Sequence, residues 1–431
     1  MIVLITTERT HRATAALVGA ALVLVTGLVD QQTAFHGRPG VAQGVDWNTI
    51  FLLIGMMVIV NVTRRTGVFQ WAAIRSAKLV RGQPAALLVV FCLVTAIASA
   101  FLDNVTTVLV IAPIVILICD VLETDAVPYL ICMVLASNIG GVATLIGHPP
   151  NIMIGSAAGL SFMDFLRIDM PIAVVVLVLF LVGVWLLLRG KVRVSQEDRD
   201  RLLALDETTA ITDRPLLWCC AVVVGLTMVG FTLHHAMGIE PATVALTGAA
   251  LLLLLHPEGP EEFLREIEWP SLFFFMGVFV MVSALVKNGV IQVLGGSIIT
   301  LSHGSLPLLT LGLLWLSGLA VGFMDHIPYT AAVIPLVQDV LQSLHPGADP
   351  AELAGLVRTS NTQVLWWALS LGANLGANWT LIAAATNVVV AGTADRSGHR
   401  IAFWRFVKYG APVTLMSLAL SSVYLWLRFL R

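Results

Sequence analysis

Charge is scarce in this chain. Lysine and arginine number 24 and aspartate and glutamate 26 among 431 residues, 12% in all. A water-soluble fold covers its surface with about a quarter charged residues, so an outer surface with half that supply must face lipid. Cysteine is scarce too. Cys92, Cys119, Cys132, Cys219 and Cys220 all lie in apolar runs, without metal-site spacing or the loop positions of a disulfide framework, and read as small core residues. No phosphate loop, nucleophile triad, zinc ligand set or basic nucleic-acid patch occurs, which argues against an enzyme or a nucleic-acid binder and leaves no metal or cofactor expected. The net charge of −2 carries no information about partners.

Hydrophobic residues make up 58% of the chain, and the mean hydropathy is +0.91. Apolar runs recur at Ala13–Val29, Thr49–Val62, Ile172–Leu188, Leu216–Leu233 and Pro412–Leu427. A bilayer core of about 30 Å takes roughly 20 helical residues, so several of these are short or tilted spans. The first run, flanked by Arg9 and Arg12, has the outline of a signal peptide. Its segment Ala13–Leu22 returns at Ala242–Leu251, however, which assigns it to the fold.

The chain is duplicated. Trp47–Gly55 recurs as Trp269–Gly277 and Phe101–Asn104 as Phe323–His326, both at a shift of 222; Asn138–Gly140 and Thr144–Ile146 meet Asn374–Gly376 and Thr380–Ile382 at a shift of 236. Two apolar copies with polar residues sunk in their hydrophobic runs are the pattern of a secondary transporter. The expected division is 1–189 for the first repeat, 190–240 for the charged linker Lys191–Arg214 with one unpaired span, and 241–431 for the second repeat. The odd span turns the second copy upside down. Arg64, Arg65, Arg75, Lys78 and Arg81 crowd the 64–83 loop, whereas the corresponding loop 287–304 holds only Lys287 and His303; the basic cluster of the second copy is Arg396, Arg400, Arg405 and Lys408. With inversion both clusters fall on one side, which the positive-inside rule makes cytoplasmic together with the N-terminus. Arg428 and Arg431 fall on the other side, against the trend.

The stretches 84–120 and 305–343 are too long for one crossing; the first would make a helix of about 55 Å. Two full spans or a re-entrant hairpin fit equally by parity. The hairpin is preferred, because the tips are polar and their flanks stay apolar for too few residues to make two clean spans; it puts Asp103–Asn104 and Asp325–His326 near the midplane. The fold class expected is therefore an all-α polytopic membrane protein of two inverted repeats with re-entrant hairpins and broken transmembrane helices.

A carboxylate inside a bilayer is expensive unless paired, protonated or facing water. Asp103 and Asp325 can cap the orphaned N–H groups of half-helices, and such N-termini at midplane are where transporters hold polar or anionic groups. His326 either gates a proton or donates to a carbonyl. In Ser137–Asn151 the Pro149–Pro150 pair and the glycines break the helix and free backbone groups, tolerated in the membrane only where protein or a watery cavity satisfies them. Asn138, Thr144 and Asn151 add side-chain oxygens; the alternative is a packing kink. The counterpart Gly372–Asn387 keeps the asparagines and the threonine but lacks the prolines, so a softer break is expected. Glu240 and the acidic stretch Glu258–Glu268 read as solvated, and His234–His235 as interfacial.

The motifs Ser99–Thr107, Asn138–Gly141 with Gly147–Asn151, and Trp366–Leu369 leading into Gly372–Gly376 resemble the ion transporter superfamily: arsenite permeases, sodium–proton antiporters of the NhaD kind, the melanosomal P protein and the divalent-anion/sodium symporters. The resemblance spans nearly the whole chain and does not specify a substrate. It implies a scaffold domain and a transport domain whose hairpins and broken helices meet at a midplane site. Asp103, Asn104, Thr106, Asn138, Gly140, Thr144 and Asn151 would line it from one copy, and Asp325, His326, Asn374, Asn378 and Thr380 from the other. Asp103, Asp325 and His148 would carry coupling protons. Dimers are common in the superfamily, so a homodimer is expected, and some arsenite permeases have a soluble ATPase subunit as partner. Two departures matter: the dicarboxylate symporters carry Ser-Asn-Thr at both tips where this chain has aspartates, and His148 replaces a small polar or acidic residue. Acidic tips argue against a dianionic substrate. The expectation is proton-coupled arsenite or antimonite efflux across the cytoplasmic membrane by alternating access; the alternatives are sodium–proton antiport, driven through the same carboxylates, and an organic-anion carrier.

Overall fold

A computed structural model describes residues 11–36, 44–188, 194–204, 207–255 and 259–431. Arg9, Lys191, Arg193 and Glu258, and with them parts of the expected leader flank, linker and acidic stretch, lie outside the described residues. Among those residues the regular structure is helical, and seven helices are long and apolar enough to cross a membrane.

Contacts between the halves fix the helix directions. Arg12, at the head of Arg12–Val25, reaches Ser271 and Glu268 at the head of Trp269–Lys287 (2.9 and 3.4 Å), and Asn288 at the far end of that helix donates to the Leu28 carbonyl (3.0 Å). These two helices run parallel. Trp47–Arg65 and Pro241–Leu255 do likewise: Ala242 N donates to Asn48 Oδ1 (3.2 Å), and Asn61 near the other end donates to the Glu266 carbonyl (3.2 Å). Trp47 Nε1 donates to the Phe35 carbonyl, so Trp47–Arg65 begins on the side where Arg12–Val25 ends. The first helix of one half therefore points opposite to the first helix of the other, and the second half is inverted. Each of these parallel pairs joins one half of the chain to the other.

Pro84–Phe101 and Asn104–Val121 form a hairpin whose two ends meet, Leu122 packing beside Gly82. Its mirror, Leu306–Val321 with His326–Leu344, enters from the opposite side; Asp339 in its second arm lies against Gly295 of the helix preceding its first. The tips meet at the level of two broken helices, Ala126–Val142 with Pro149–Ala158 and Val364–Gly376 with Ala385–Arg396. Asn104 Nδ2 donates to Asn138 Oδ1 (3.4 Å) and His326 Nδ1 faces the Ala383 carbonyl (3.3 Å). Because helix continues from these breaks toward both faces, the tips are sunk in the membrane and the re-entrant arrangement holds over two full spans.

Three expectations are corrected. The basic segment 64–83 is largely the helix Val68–Leu79, and 287–304 holds Val290–Ser302; both follow a glycine with positive φ, Gly67 at 78° and Gly289 at 75°. The spans expected at the apolar runs Ile172–Leu188 and Pro412–Leu427 begin earlier, at Phe162 and Phe403. The second break is no softer than the first: it runs over 377–384 around the 3₁₀ turn Leu381–Ala383, with Thr380 and Ala384 extended. A side-chain cap, described below, holds both breaks open, so the prolines are not the cause.

On the side of Arg64 and Arg65 the linker folds back on the first repeat. Glu262 and Glu266 pair with the two arginines (2.7–3.1 Å), so this part of the acidic stretch is bound in ion pairs. Glu207 sits between Lys78 and Arg75, and the Lys78 ammonium holds its carboxyl down to about 2. On the opposite side Lys287 pairs with Asp30 (2.9 Å) and, with Thr33, holds that carboxyl well below the usual range.

Candidate functional site

Both helix breaks are built by an asparagine. Asn151 Nδ2 donates to the carbonyls of Thr144, Val142 and Gly141 (2.8, 3.2 and 3.4 Å), three groups that the broken helix leaves without amide partners. Asn387 does the same in the second copy, donating to Ala377 and Thr380 (2.8 and 2.9 Å). Their amide oxygens cross the molecule. Asn151 Oδ1 accepts from Asn374 (2.7 Å), and Asn387 Oδ1 accepts from Asn138 (3.1 Å), which also donates to Asn378 Oδ1 (2.9 Å). The threonines tie the breaks to the hairpins: Thr144 Oγ1 donates to the Ala100 carbonyl and Thr380 Oγ1 to the Gly322 carbonyl (2.7 Å). Asn138, Asn151, Asn374 and Asn378 thus spend polar atoms on a brace between the copies, and Thr144 and Thr380 on ties within each copy. Gly140 is where hairpin and break touch; a Cβ there would lie 2.1 Å from the Ala96 carbonyl oxygen.

In front of the brace lie the tips. Leu102 is extended, and Asp103 turns the chain into the next helix, its Oδ2 accepting from Thr106 N (3.1 Å) and Thr106 Oγ1 (3.3 Å). Asp325 caps the second tip through Ile327 N (2.9 Å). His326 beside it is 1% exposed and His148 fully buried, with ring centroids 5.6 Å apart; both ring nitrogens of His148 and Nε2 of His326 have no hydrogen-bond partner. Unpartnered buried nitrogens of this kind are costly and mark a place for a proton or a donor. Both tips line one cavity of about 20 Å³ with Arg12, Glu268, Pro149 and Thr386, room for about one water molecule. Arg12 closes it: its guanidinium lies 3.4 Å from Glu268 and 3.6 Å from Asp325, all three side chains partly exposed. Toward the opposite face, cavities of about 590 and 480 Å³ separate the cross-repeat helices from the hairpin and broken helix.

The structure therefore gathers Asp103, Asn104 and His326 around one cavity, with Asp325 and His148 next to His326, and sets the other expected residues behind it, with Thr106 capping locally. Sequence reading missed four groups. Arg12 shows in the sequence only as the flank of an apolar run, and its partner Asp325 lies more than three hundred positions away. Glu268 was read as solvated and in fact meets Arg12. Asn387 repeats Asn151 at the 236-residue shift, a signal present in the sequence. Asp169 lies just outside the apolar run Ile172–Leu188, yet it is fully buried and accepts from Ser370 Oγ (2.7 Å).

Residues 2–372 match the family described as a citrate transporter. A protein of Mycobacterium tuberculosis named an uncharacterized transporter is 43% identical over 427 residues, covering 99% of this chain and 96% of that one. The P protein of Homo sapiens is 32% identical over 501 residues, 98% of this chain; the chain spans 58% of that protein's length. The crystal structure of the Alcanivorax borkumensis YdaH transporter superposes with a TM-score of 0.57 at 14% identity, covering 97% of this chain and 99% of that one. At that identity the likeness speaks for the fold.

Proposed function

This multi-pass membrane protein belongs to the citrate transporter family, and on that premise we propose that it is a proton-coupled secondary transporter working by alternating access. The two hairpins and two broken helices move as the carrier against the cross-repeat helices. The side bearing Arg64, Arg65, Arg75 and Lys78 is cytoplasmic, by the positive-inside rule, which places the start of Arg12–Val25 on that side and the protein in the inner membrane. One observation carries the coupling: Asp103 of one tip and His326 of the other line a cavity of about 20 Å³, Asp325 and His148 both adjoin His326, and the two buried histidines carry unpartnered nitrogens. Asp103 and Asp325 take up and release the proton, and His148 and His326 pass it between the copies.

Asp103 and Glu268 line the cavity with Arg12, and Asp325 lies 3.6 Å from that one guanidinium. A bare tricarboxylate beside three carboxylates is unfavourable at low effective dielectric. Arsenite and antimonite, uncharged hydroxides at neutral pH, carry no such penalty and can bond to amide and hydroxyl groups, so outward transport of these is the leading reading. The same excess of carboxylates favours a small cation as the second reading, sodium–proton antiport through hard oxygen ligands. A homodimer and a soluble ATPase partner belong to the proposal as well.

Everted vesicles energised to an acidic, positive interior test the readings side by side. Arsenite accumulation that a protonophore abolishes, with no proton release on adding sodium or lithium and no citrate uptake, is the expected result. Proton release driven by sodium without arsenite uptake makes the protein an antiporter, and citrate uptake overturns the charge argument.

A further inference from the structure

Ser370 Oγ lies 2.7 Å from Asp169 Oδ2 and 2.8 Å from Asn151 Oδ1. A serine hydroxyl has one hydrogen to give. The amide of Asn151 cannot be turned to help, because its Nδ2 is committed to the Thr144 and Val142 carbonyls and its Oδ1 already accepts from Asn374 Nδ2 at 2.7 Å. Asn374 is fixed in turn by donating to the Ser370 carbonyl (2.8 Å). With Asp169 ionised, Ser370 would serve two acceptors with a single hydrogen, and one short contact would set lone pair against lone pair. A proton on Asp169 Oδ2 removes the conflict: Asp169 donates to Ser370 Oγ, and Ser370 donates to Asn151 Oδ1.

The rest of the carboxyl agrees. Asp169 is fully buried and its Oδ1 has no hydrogen-bond partner. An ionised group would leave a charged oxygen unpaired in the membrane, whereas a carboxylic acid leaves only a carbonyl. The helices packed against Phe162–Leu188 bring Arg428 and Tyr424 from the C-terminal helix, Arg214, His234 and His235 from Arg214–Met237, and Tyr129, Cys92 and Cys132 from the first repeat. Of these Arg428 acts on Asp169 electrostatically, and it is not within ion-pair distance.

We propose that Asp169 is a proton-binding site separate from the hairpin tips, protonated on Oδ2 in this conformation and wired through Ser370 to the broken helix end at Asn151. The three residues stand on three elements, Phe162–Leu188, Val364–Gly376 and Pro149–Ala158. Loss of the proton leaves one hydrogen for two acceptors and loosens the first element from the other two. Proton binding here stands by itself; its part in transport rests on the proton-coupled reading above.

Infrared spectroscopy of the purified full chain in nanodiscs tests it. The wild type should show a protonated-carboxyl carbonyl band at neutral pH that alkaline titration removes, that Asp169→Asn lacks, and that Ser370→Ala shifts in frequency. A protonated-carboxyl region identical in wild type and Asp169→Asn overturns the proposal. Where Asp169→Asn does not fold, a band unmoved by Ser370→Ala overturns it equally. Loss of the band on adding sodium chloride at constant pH marks a cation site instead and also overturns it. Vesicles without proton-driven transport but with the band intact would remove the coupled reading and leave the site standing.

Discussion

Asn151 and Asn387 hold open the two helix breaks, and each carries bonds in both directions: to the freed carbonyls of its own copy and from an asparagine of the other. Replacing either by alanine leaves buried carbonyls and an amide unsatisfied at about 1–3 kcal/mol for each such group. Asn151→Ala and Asn387→Ala should therefore unfold at clearly lower temperature in detergent, read by a thermal melt. The tip aspartates should behave in the opposite way. Asp103→Asn and Asp325→Asn keep the cap geometry, so membrane yield should be unchanged while gradient-driven accumulation in vesicles disappears; full transport by both variants would take the carboxylates out of the mechanism. The aspartates were legible in the sequence because a carboxylate within an apolar run is conspicuous. Arg12 was not, because its meaning depends on Asp325 and Glu268, which only the folded chain brings to it. Asp169 escaped because an acidic residue at the edge of an apolar run looks like the end of a span.

Among the elements, hairpin and break approach each other at glycine. Gly140→Ala would set a methyl 2.1 Å from the Ala96 carbonyl oxygen, and that backbone has nowhere to yield. It should cost about 1–3 kcal/mol or more, seen as a lowered melting temperature, whereas Gly183→Ala, with nothing within 4 Å, should be neutral. The linker offers a pH test. Glu207 has its carboxyl lowered from 4.5 to about 2 by Lys78 and Arg75. A depressed carboxylate stabilises fully above its unfolded value, and that contribution fades as pH falls through the folded one. Protection against hydrogen exchange in 207–210 and Val68–Leu79, taken relative to the intrinsic rate at each pH, should accordingly fall as pH drops from 4.5 toward 2, and Glu207→Gln should show the lowered protection already at neutral pH. Breaks and hairpins could be read from prolines, glycines and excess length. The helix Val68–Leu79 could not, since its basic residues look like a loop until Glu207 is seen against Arg75 and Lys78.

At the scale of the whole molecule, the directions of the helices assign the connections among the described residues to a face. Glu123 and Ser397 lie on the face of Arg64 and Arg65, and Ser343 on the other. With the native cysteines removed, Glu123→Cys and Ser397→Cys should react with a membrane-impermeant maleimide only in everted vesicles, and Ser343→Cys only in intact cells. The reverse pattern would turn the protein over in the membrane. The inversion itself was written in the sequence, through the repeat and the odd number of spans between the copies. The way the halves interlock was not, because nothing in a repeat says whether each copy packs on itself or on its twin.

That interlocking bears on how the protein is made. Arg12–Val25 and Trp47–Arg65 pack against Trp269–Lys287 and Pro241–Leu255, and a ribosome delivers them to the bilayer some two hundred residues earlier than their partners. Until then Arg12 has no carboxylate beside it, and the small-residue faces at Ala16 and Gly55 have only lipid to meet. A chain that stops in the linker is thus a substrate for membrane quality control, and complete synthesis becomes the step that commits the first half to its fold.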